Sequence, residues 1–314
     1  MVRMVVGVSL AALLLLMVGL QPVATAIAPQ PVDRAHMIPT VKVKSASALL
    51  NQLKVNNLWD VAGAAEVPAV LITRLPADFN TLDQQTQKKA FLHTLLPVAM
   101  VAISEVENER EALEQVLGKF ASLPHRFDFS GHAIDETLYA GLNGEDISLL
   151  QHLCEKYQTF DVATLRSRIN PVPVSLVLAQ GALESAWGSS RLALEGNNLF
   201  GVGAWGGSGL MTPGKDNNKV ASYATLLDAV RAYVLMLNRV PAYDDFREKR
   251  EQTMDSITLA QGLRYYSERR EEYVADVARL IRNNQLQVYD RCELADTSFL
   301  RGGKQPRLNL ASLR

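Results

Sequence analysis

The amino-acid sequence predicts a mainly α-helical protein with one glycine-rich insertion. Apolar residues recur at helical spacing from Gln84 to about Leu123, which places them on one face of a helix. The segment from Pro171 to Trp187 is almost entirely apolar or small, the pattern of a helix that is buried on most sides. The stretch from Gly201 to Tyr223 holds six glycines, which indicates a loop or a small β-hairpin lobe inserted between helices.

The first long helical pattern begins at Gln84. We expect Pro97 to kink or split this helix, because proline lacks the N–H group that the helix ladder needs. The face opposite the apolar residues carries charged side chains, which we interpret as a solvated face rather than a binding patch: Lys88, Lys89, Glu107, Glu111 and Glu114.

Several shorter elements flank this helix. Residues 29–65 are interpreted as a partly ordered linker with one short helix around Ser45–Leu53, and Val67–Leu75 is a β-rich run that could form an extended arm. A turn-rich stretch ends at Gly144, and two acids, Glu145 and Asp146, suit the start of a helix. Further helices are predicted at Pro173–Trp187, Leu226–Arg239, Ser256–Tyr266 and Glu272–Asn283, with Thr225 and Asp228 as a capping box for the second of them.

The N-terminus has the pattern of a secretory signal peptide over residues 1–28. Arg3 precedes an apolar run from Met4 to Leu20, and Ala24-x-Ala26 and Ala26-x-Ala28 both fit a cleavage site. An uncleaved membrane anchor is the alternative, because the 17-residue run approaches the length that spans a bilayer. We favour cleavage, and either case exports the remaining chain to the periplasm.

The composition excludes some classes of function. A formal net charge of −1 over 314 residues argues against a nucleic-acid-binding protein. The five histidines show no ligand spacing and no CxxC pair occurs, so we expect no metal site and no cofactor. Export permits a disulfide between Cys154 and Cys292, but Cys154 lies in a helical pattern typical of a buried thiol, and we favour two separate thiols.

Glu184 is the candidate catalytic residue. It is the only ionisable side chain between Asn170 and Ser190, and Gly188 should end its helix just beyond it. Apolar surroundings and the negative end of the helix dipole both raise the pKa of a carboxyl group, which suits a general acid near neutral pH. Gln180, one turn earlier, could orient the carboxyl group. The alternative is a buried structural glutamate that pairs with Arg168 or Arg191.

The next segment suits a sugar site. Asn197 and Asn198 offer amide donors and acceptors to hydroxyl and N-acetyl groups, and Phe200 offers a flat apolar face for a sugar ring. An ordinary Asn-Gly-rich turn is the alternative interpretation for this segment alone.

Together, Ala179–Ser190 (AQGALESAWGSS) and Asn197–Gly201 (NNLFG) resemble the glucosaminidase domain of bacterial peptidoglycan hydrolases. The stretch from about Val67 to Leu286 further resembles the Bax-type subgroup of that family, through motifs such as Asn170–Pro173, Leu227–Tyr233 and Tyr266–Arg269. The resemblance implies a lysozyme-like helical fold with a small β-lobe and cleavage of the β-1,4 bond after N-acetylglucosamine. It carries the catalytic glutamate onto Glu184 and the active-site tyrosine onto Tyr273, with Tyr266 in the motif that leads to it.

The sequence departs from this family in the β-lobe, where many relatives carry a second acid. Asp216 is the single acid between Gly201 and Thr225, and we favour a solvated turn residue there over a catalytic one. If Asp216 is not the second carboxylate, the N-acetyl group of the substrate could act as the nucleophile, with Tyr273 stabilising the transition state. Trp205 and Tyr223 are candidates for lining the sugar cleft, whereas we assign Trp187 to the core and Tyr233 to packing.

These interpretations divide the chain into a signal peptide (1–28), a linker (29–65), an N-terminal helical region (66–144), a glucosaminidase catalytic domain (145–290) and a tail (291–314). The predicted function is an exported peptidoglycan hydrolase of the endo-β-N-acetylglucosaminidase type. The alternatives are a lytic transglycosylase and a non-catalytic wall-binding protein. The expected partner is the peptidoglycan glycan strand, with no nucleic acid and with membrane contact only through an uncleaved N-terminal segment.

Overall fold

The structure is a computed structural model, and it describes residues 38–61, 65–129, 139–204, 209–211 and 219–295. The predicted signal peptide, Trp205 and Asp216 lie outside the described residues, as do parts of the predicted linker and tail.

The described chain is mainly helical, as the sequence predicts. Ten α-helices are present in it: α1 (Ala46–Val55), α2 (Gln84–Leu117), α3 (Gly144–Tyr157), α4 (Val162–Arg168), α5 (Val174–Glu184), α6 (Arg191–Gly196), α7 (Leu226–Arg239), α8 (Asp244–Arg250), α9 (Ser256–Ala260) and α10 (Glu271–Asn283). Short 3₁₀ segments lie at Phe79–Thr81, Pro241–Tyr243, Gln261–Leu263 and Leu286–Arg291.

The strands are short and form three two-stranded pairs. They are β1 (Thr40–Val41), β2 (Glu66–Pro68), β3 (Leu71–Ile72), β4 (Gly209–Met211), β5 (Lys219–Ala221) and β6 (Glu293–Ala295). β4 and β5 form an antiparallel pair within the glycine-rich insertion, so the predicted β-hairpin lobe is present. β1 pairs with β3 and β2 pairs with β6, both in parallel, so the predicted β-rich arm joins distant parts of the chain.

Helix starts follow the capping pattern in the sequence. Asn143 and Asp146 form a reciprocal capping box at the start of α3, and Thr225 and Asp228 form another at the start of α7. Each box satisfies backbone N–H groups that have no partner in the first helical turn.

Helix α2 runs through Pro97 without a break, so of the two predicted effects of this proline, a kink or a split, the split is wrong. Every residue from Ala90 to Ile103 is buried, and packing on all sides holds the helix together where one ladder bond is lost. α2 is long and apolar enough to cross a membrane, but 83% of its most apolar window is buried inside the protein. That burial makes α2 the central helix of the described core.

The charged face of α2 is only partly solvated, which corrects the sequence interpretation of Glu114. Glu114 accepts two hydrogen bonds from Arg166 of α4, at 3.0 and 2.6 Å. Glu109 accepts from Lys156 and Tyr157 of α3, and Glu105 forms a two-pronged ion pair with Arg231 of α7. These bonds connect α2 to three helices that follow it in the chain.

Helices α2 and α5 lie in close contact because α5 has a glycine where they meet. A Cβ atom on Gly181 would stand 2.9 Å from Leu95 Cδ2 and 3.3 Å from Phe200 Cε1.

Of the two described cysteines, Cys154 is buried in α3 and no disulfide joins it to Cys292.

Candidate active site

Glu184 is the last residue of helix α5. The first nine residues of this helix, from Val174 to Ala182, are all buried. Ser185 caps the helix: its hydroxyl donates to the Gly181 carbonyl and accepts from the Gly188 N–H at 2.8 Å. The helix was predicted to run to Trp187, before Gly188, but the helical backbone ends three residues earlier, at Glu184.

A turn in the left-handed conformation follows the acid. Ala186, Trp187 and Gly188 have φ values of 50°, 57° and 79°. Such a run is costly for residues with a side chain, so neighbouring contacts must stabilise it. Gln87 of α2 donates to the Trp187 carbonyl at 3.1 Å, and Trp187 packs edge-on against Phe91 of α2.

Among the described residues, the Tyr273 hydroxyl is the one polar group that shifts the pKa of the Glu184 carboxyl group, and no described cation shifts it. Burial raises the pKa of Glu184 to about 7, and a hydrogen bond from the Tyr273 hydroxyl works in the opposite direction. Part of the side chain stays open to solvent. A Cβ atom on Gly201 would stand 3.8 Å from Glu184 Oε2, so the carboxylate lies against the backbone of the Asn197–Gly201 segment.

Neither candidate arginine pairs with Glu184. Arg168 donates to the backbone carbonyls of Tyr157 and Gln158, and Arg191 bonds to Glu195. The alternative of a buried glutamate held by one of these arginines is therefore wrong.

Four tyrosines surround the carboxyl group. Tyr266 and Tyr273 stack with nearly parallel rings, 5.4 Å apart at 4°, and Tyr233 and Tyr243 lie with ring centroids 6.4 and 6.1 Å from Tyr266. Burial, together with the charge on Glu184, raises the pKa of all four hydroxyl groups. The tyrosines therefore remain protonated and can act as hydrogen-bond donors at neutral pH.

Gln180 lies at the centre of a hydrogen-bonded chain. Its Nε2 donates to the Tyr273 hydroxyl at 2.7 Å, and its Oε1 accepts from the Tyr233 hydroxyl. Gln180 is fully buried. It therefore contacts Glu184 through Tyr273, which refines the prediction that Gln180 orients the carboxyl group directly.

The amides of Asn197 and Asn198 brace the loop beside the acid. Asn197 Nδ2 donates to the carbonyls of Tyr223 and Ala224. Asn198 Nδ2 donates to two carbonyls, and its Oδ1 accepts from the backbone N–H groups of Phe200 and Val202. Both side chains are buried, and these contacts hold the β-lobe against α6.

Phe200 packs inside the site. Its ring stacks on Tyr233 at 4.2 Å and 17°, and its carbonyl accepts from the Tyr266 hydroxyl at 2.7 Å. Because Phe200 is 2% exposed, its ring has no free face for a sugar in this structure. Tyr223 is half-buried, and burial raises the pKa of its hydroxyl to about 12.

Tyr233 is the site residue that sequence reasoning assigned to packing. It does pack on Phe200, but its hydroxyl also holds Gln180. The available signal was its place in the Leu227–Tyr233 motif.

Trp187, in the turn that follows Glu184, is half-buried against Phe91, in the packing role predicted for it. No group of three or more metal-ligating side chains occurs among the described residues.

Comparisons with known proteins show what this region of the chain is similar to. Residues 161–286 match the family model described as mannosyl-glycoprotein endo-beta-N-acetylglucosaminidase. The chain is similar to Protein bax of Escherichia coli (strain K12), with 33% identity over 128 residues, covering 39% of this chain and 46% of the relative. It is also similar to Peptidoglycan hydrolase FlgJ of the same strain, with 31% identity over 154 residues, covering 44% of this chain and 43% of the relative.

A third relative is Peptidoglycan hydrolase FlgJ of Salmonella typhimurium (strain LT2), 36% identical over 97 residues, covering 26% of this chain and 31% of the relative. The chain thus spans less than half the length of these relatives. No solved structure gives a significant match. The match of residues 161–286 to the family model confirms the resemblance predicted from the motifs around Glu184.

Proposed function

We propose that this protein is an exported endo-β-N-acetylglucosaminidase that cleaves the β-1,4 bond after N-acetylglucosamine in peptidoglycan, with Glu184 as its general acid. The observation that carries the proposal is the setting of Glu184. Its carboxyl group lies among buried tyrosines with a pKa near 7, so a large fraction is protonated at neutral pH. Lone carboxyl groups in this state serve as proton donors to glycosidic oxygens.

The chemistry follows from the arrangement of the site. Glu184 donates its proton to the glycosidic oxygen as the bond to the anomeric carbon breaks. The sugar then develops oxocarbenium character, and the Tyr273 hydroxyl stabilises the new Glu184 carboxylate through its hydrogen bond. We propose that the N-acetyl group of the substrate acts as the internal nucleophile, and that water, deprotonated by Glu184, completes the hydrolysis.

The peptidoglycan assignment rests on two of the relatives, whose names describe them as peptidoglycan hydrolases. Export to the periplasm rests on the apolar run near the N-terminus. Tyr223, half-buried beside the braced asparagines, and Trp205 remain the proposed contacts to the sugar rings.

Digestion of purified peptidoglycan with product analysis by mass spectrometry tests this function. We expect the wild-type protein to release fragments with N-acetylglucosamine at the reducing end. Glu184→Gln keeps the size of the side chain but removes the acid, and we expect a loss of activity of about 10²–10⁴-fold. Glu195→Gln, at an exposed glutamate in α6, is the matched control and should retain full activity.

Other products would contradict the hydrolase assignment. Anhydro-muramic ends would identify a lytic transglycosylase, and no release by the wild-type protein would identify a non-catalytic wall-binding protein.

The same digests with Asp216→Asn test whether the N-acetyl group of the substrate or Asp216 is the nucleophile. We expect activity within a few-fold of wild type, because the sequence favours a non-catalytic role for Asp216. A loss as large as that of Glu184→Gln would instead assign Asp216 as the second carboxylate.

A further inference from the structure

We propose that Tyr233 and Gln180 are positioning residues that point the proton of the Tyr273 hydroxyl at Glu184. The inference rests on the proposed role of Glu184 as the acid and deepens it. Neither of these two buried side chains has a resolved hydrogen bond to the Glu184 carboxyl group. We infer that they nevertheless control its protonation, through the direction in which the Tyr273 hydroxyl points.

Three helices supply the three members of this chain of hydrogen bonds. Gln180 comes from α5, Tyr233 from α7 and Tyr273 from α10. The first two are fully buried and Tyr273 is 3% exposed, so water does not compete for their polar atoms. Stacking against Phe200 at 4.2 Å fixes the ring of Tyr233.

The direction of each bond follows from what each atom can donate. The amide Nε2 of Gln180 carries only donors, so the Tyr273 oxygen must accept from it. A tyrosine hydroxyl has a single proton. The Tyr273 proton is therefore left for its other partner, the Glu184 carboxylate.

Tyr233 decides which way the Gln180 amide faces. In the observed orientation, the Tyr233 hydroxyl donates to Gln180 Oε1, and this is its one hydrogen bond in the part of the chain that is described. Rotating the amide by 180° would turn Nε2 toward Tyr233 and leave the Tyr233 proton buried without an acceptor. A buried, unsatisfied donor is costly, so the rotated state is disfavoured. In that state, Tyr273 would donate to Gln180 instead of Glu184.

The hydrogen bond from Tyr273 is important for the charge on Glu184 because the titratable groups that face the carboxyl group are neutral tyrosines. From α7, α10 and the segments between them, the titratable side chains that sense its charge are Tyr233, Tyr243, Tyr266 and Tyr273. No described lysine, arginine or second carboxylate contributes to the shift in its pKa. The Tyr273 proton is thus the main polar support for the ionised form of Glu184.

Tyr233→Phe tests the inference, because it removes the hydroxyl that holds the Gln180 amide in its observed orientation and leaves the ring in place. The amide can then rotate, Tyr273 can donate to Gln180, and the Glu184 carboxylate loses its donor. We expect the titration midpoint of Glu184 to rise by about 0.5–1 pH unit. Gln180→Met removes both polar atoms at similar volume, so no amide oxygen competes with Glu184 for the Tyr273 proton. The midpoint of this variant should stay near that of wild type, and Tyr233→Phe should no longer raise the midpoint when it is combined with Gln180→Met.

The readout is a ¹³C NMR titration of protein labelled at glutamate carboxyl groups, with Glu184→Gln assigning the signal. Tyr157→Phe is the matched control: it removes another fully buried tyrosine hydroxyl with a carboxylate partner, Glu109, which is not a member of this chain of bonds. It should leave the Glu184 midpoint unchanged. In kcat/KM, the fall in activity on the alkaline side should move to higher pH in Tyr233→Phe and should stay near its wild-type position in Gln180→Met.

An unchanged Glu184 midpoint in folded Tyr233→Phe, an undiminished rise when Tyr233→Phe is combined with Gln180→Met, or an equal shift in Tyr157→Phe would overturn the inference. The titration needs no turnover, so it is decided independently of the proposed function. A wild-type protein that releases no glycan would refute the enzymatic proposal while the NMR midpoints still report on Tyr233 and Gln180.

Discussion

Burial of the Glu184 carboxyl group links the stability of the protein to pH. Its pKa in the folded state is about 7, above the ordinary value of 4.5. Below pH 4.5 the group is protonated whether the chain is folded or not. As the pH rises from 4.5 through 7, the unfolded chain ionises first, and the free energy of unfolding falls by at most about 3 kcal/mol.

We therefore expect Glu184→Gln to remove this part of the pH dependence. Relative to wild type, the variant should gain stability between pH 4.5 and pH 8, because glutamine does not ionise. Urea unfolding at both pH values measures the difference, with Glu195→Gln as the exposed control. Equal pH dependence in wild type and Glu184→Gln would show that the carboxyl group ionises freely in the folded state.

Single residues were predictable where the local pattern carried the signal. Glu184 was recognisable as the one ionisable group in an apolar segment. Tyr273 was reachable only through the family resemblance, because nothing in its own helix distinguishes it from a packing residue. The hydrogen bond from Tyr233 to Gln180 joins residues 53 positions apart, and no local pattern encodes such a contact.

At the scale of elements, the glycine in α5 sets how closely the acid-bearing helix approaches α2. Gly181→Ala would improve the helix propensity, but its Cβ would stand 2.9 Å from a methyl group of Leu95. We expect the steric conflict to dominate and to destabilise the protein by about 1–3 kcal/mol. Gly144→Ala, at a position with no atom within 4 Å of the added Cβ, is the matched control.

Chemical denaturation of the two variants measures this effect. Stabilisation by Gly181→Ala would mean that α2 and α5 can separate without cost, contrary to the packing described for them.

Elements with strong local signals were predicted well. α7 begins and ends where the sequence predicts, because Thr225 and Asp228 mark its start and its apolar spacing is regular. The short helices α4, α6 and α8 were not predicted, since six or seven residues carry too little periodicity. The helix predicted from Ser256 to Tyr266 is α-helical only as far as Ala260 and is followed by a 3₁₀ segment. Gly262 in that segment allows the chain to pass close to the backbone of Phe246.

At the scale of the whole molecule, the region that matches the glucosaminidase family lacks the central helix of the core. The match begins at residue 161, whereas α2 ends at Leu117. Eighteen of the 34 residues of α2 are buried, and they cover α5 and α7. Without α2, the loss of burial would exceed the stability that a domain of this size usually has.

We therefore expect a fragment of residues 161–286 to lack a cooperative unfolding transition, and a fragment of residues 38–295 to show one. Circular dichroism during thermal unfolding distinguishes the two. A sharp transition in the shorter fragment would mean that α2 is an accessory to the fold. The sequence predicted α2 as a helix, but its central place depends on contacts across the chain that periodicity does not reveal.

The ring of neutral tyrosines around one carboxyl group also bears on inhibitor design. The described wall of the site presents aromatic faces and one acidic group, and none of its residues supplies a positive charge to Glu184. Such a site should bind a protonated iminosugar, whose ring nitrogen places a cation where the anomeric carbon would be, more tightly than the neutral sugar of the same shape. Affinity for such an amine should increase as the medium becomes alkaline enough to ionise Glu184, while the amine itself is still protonated.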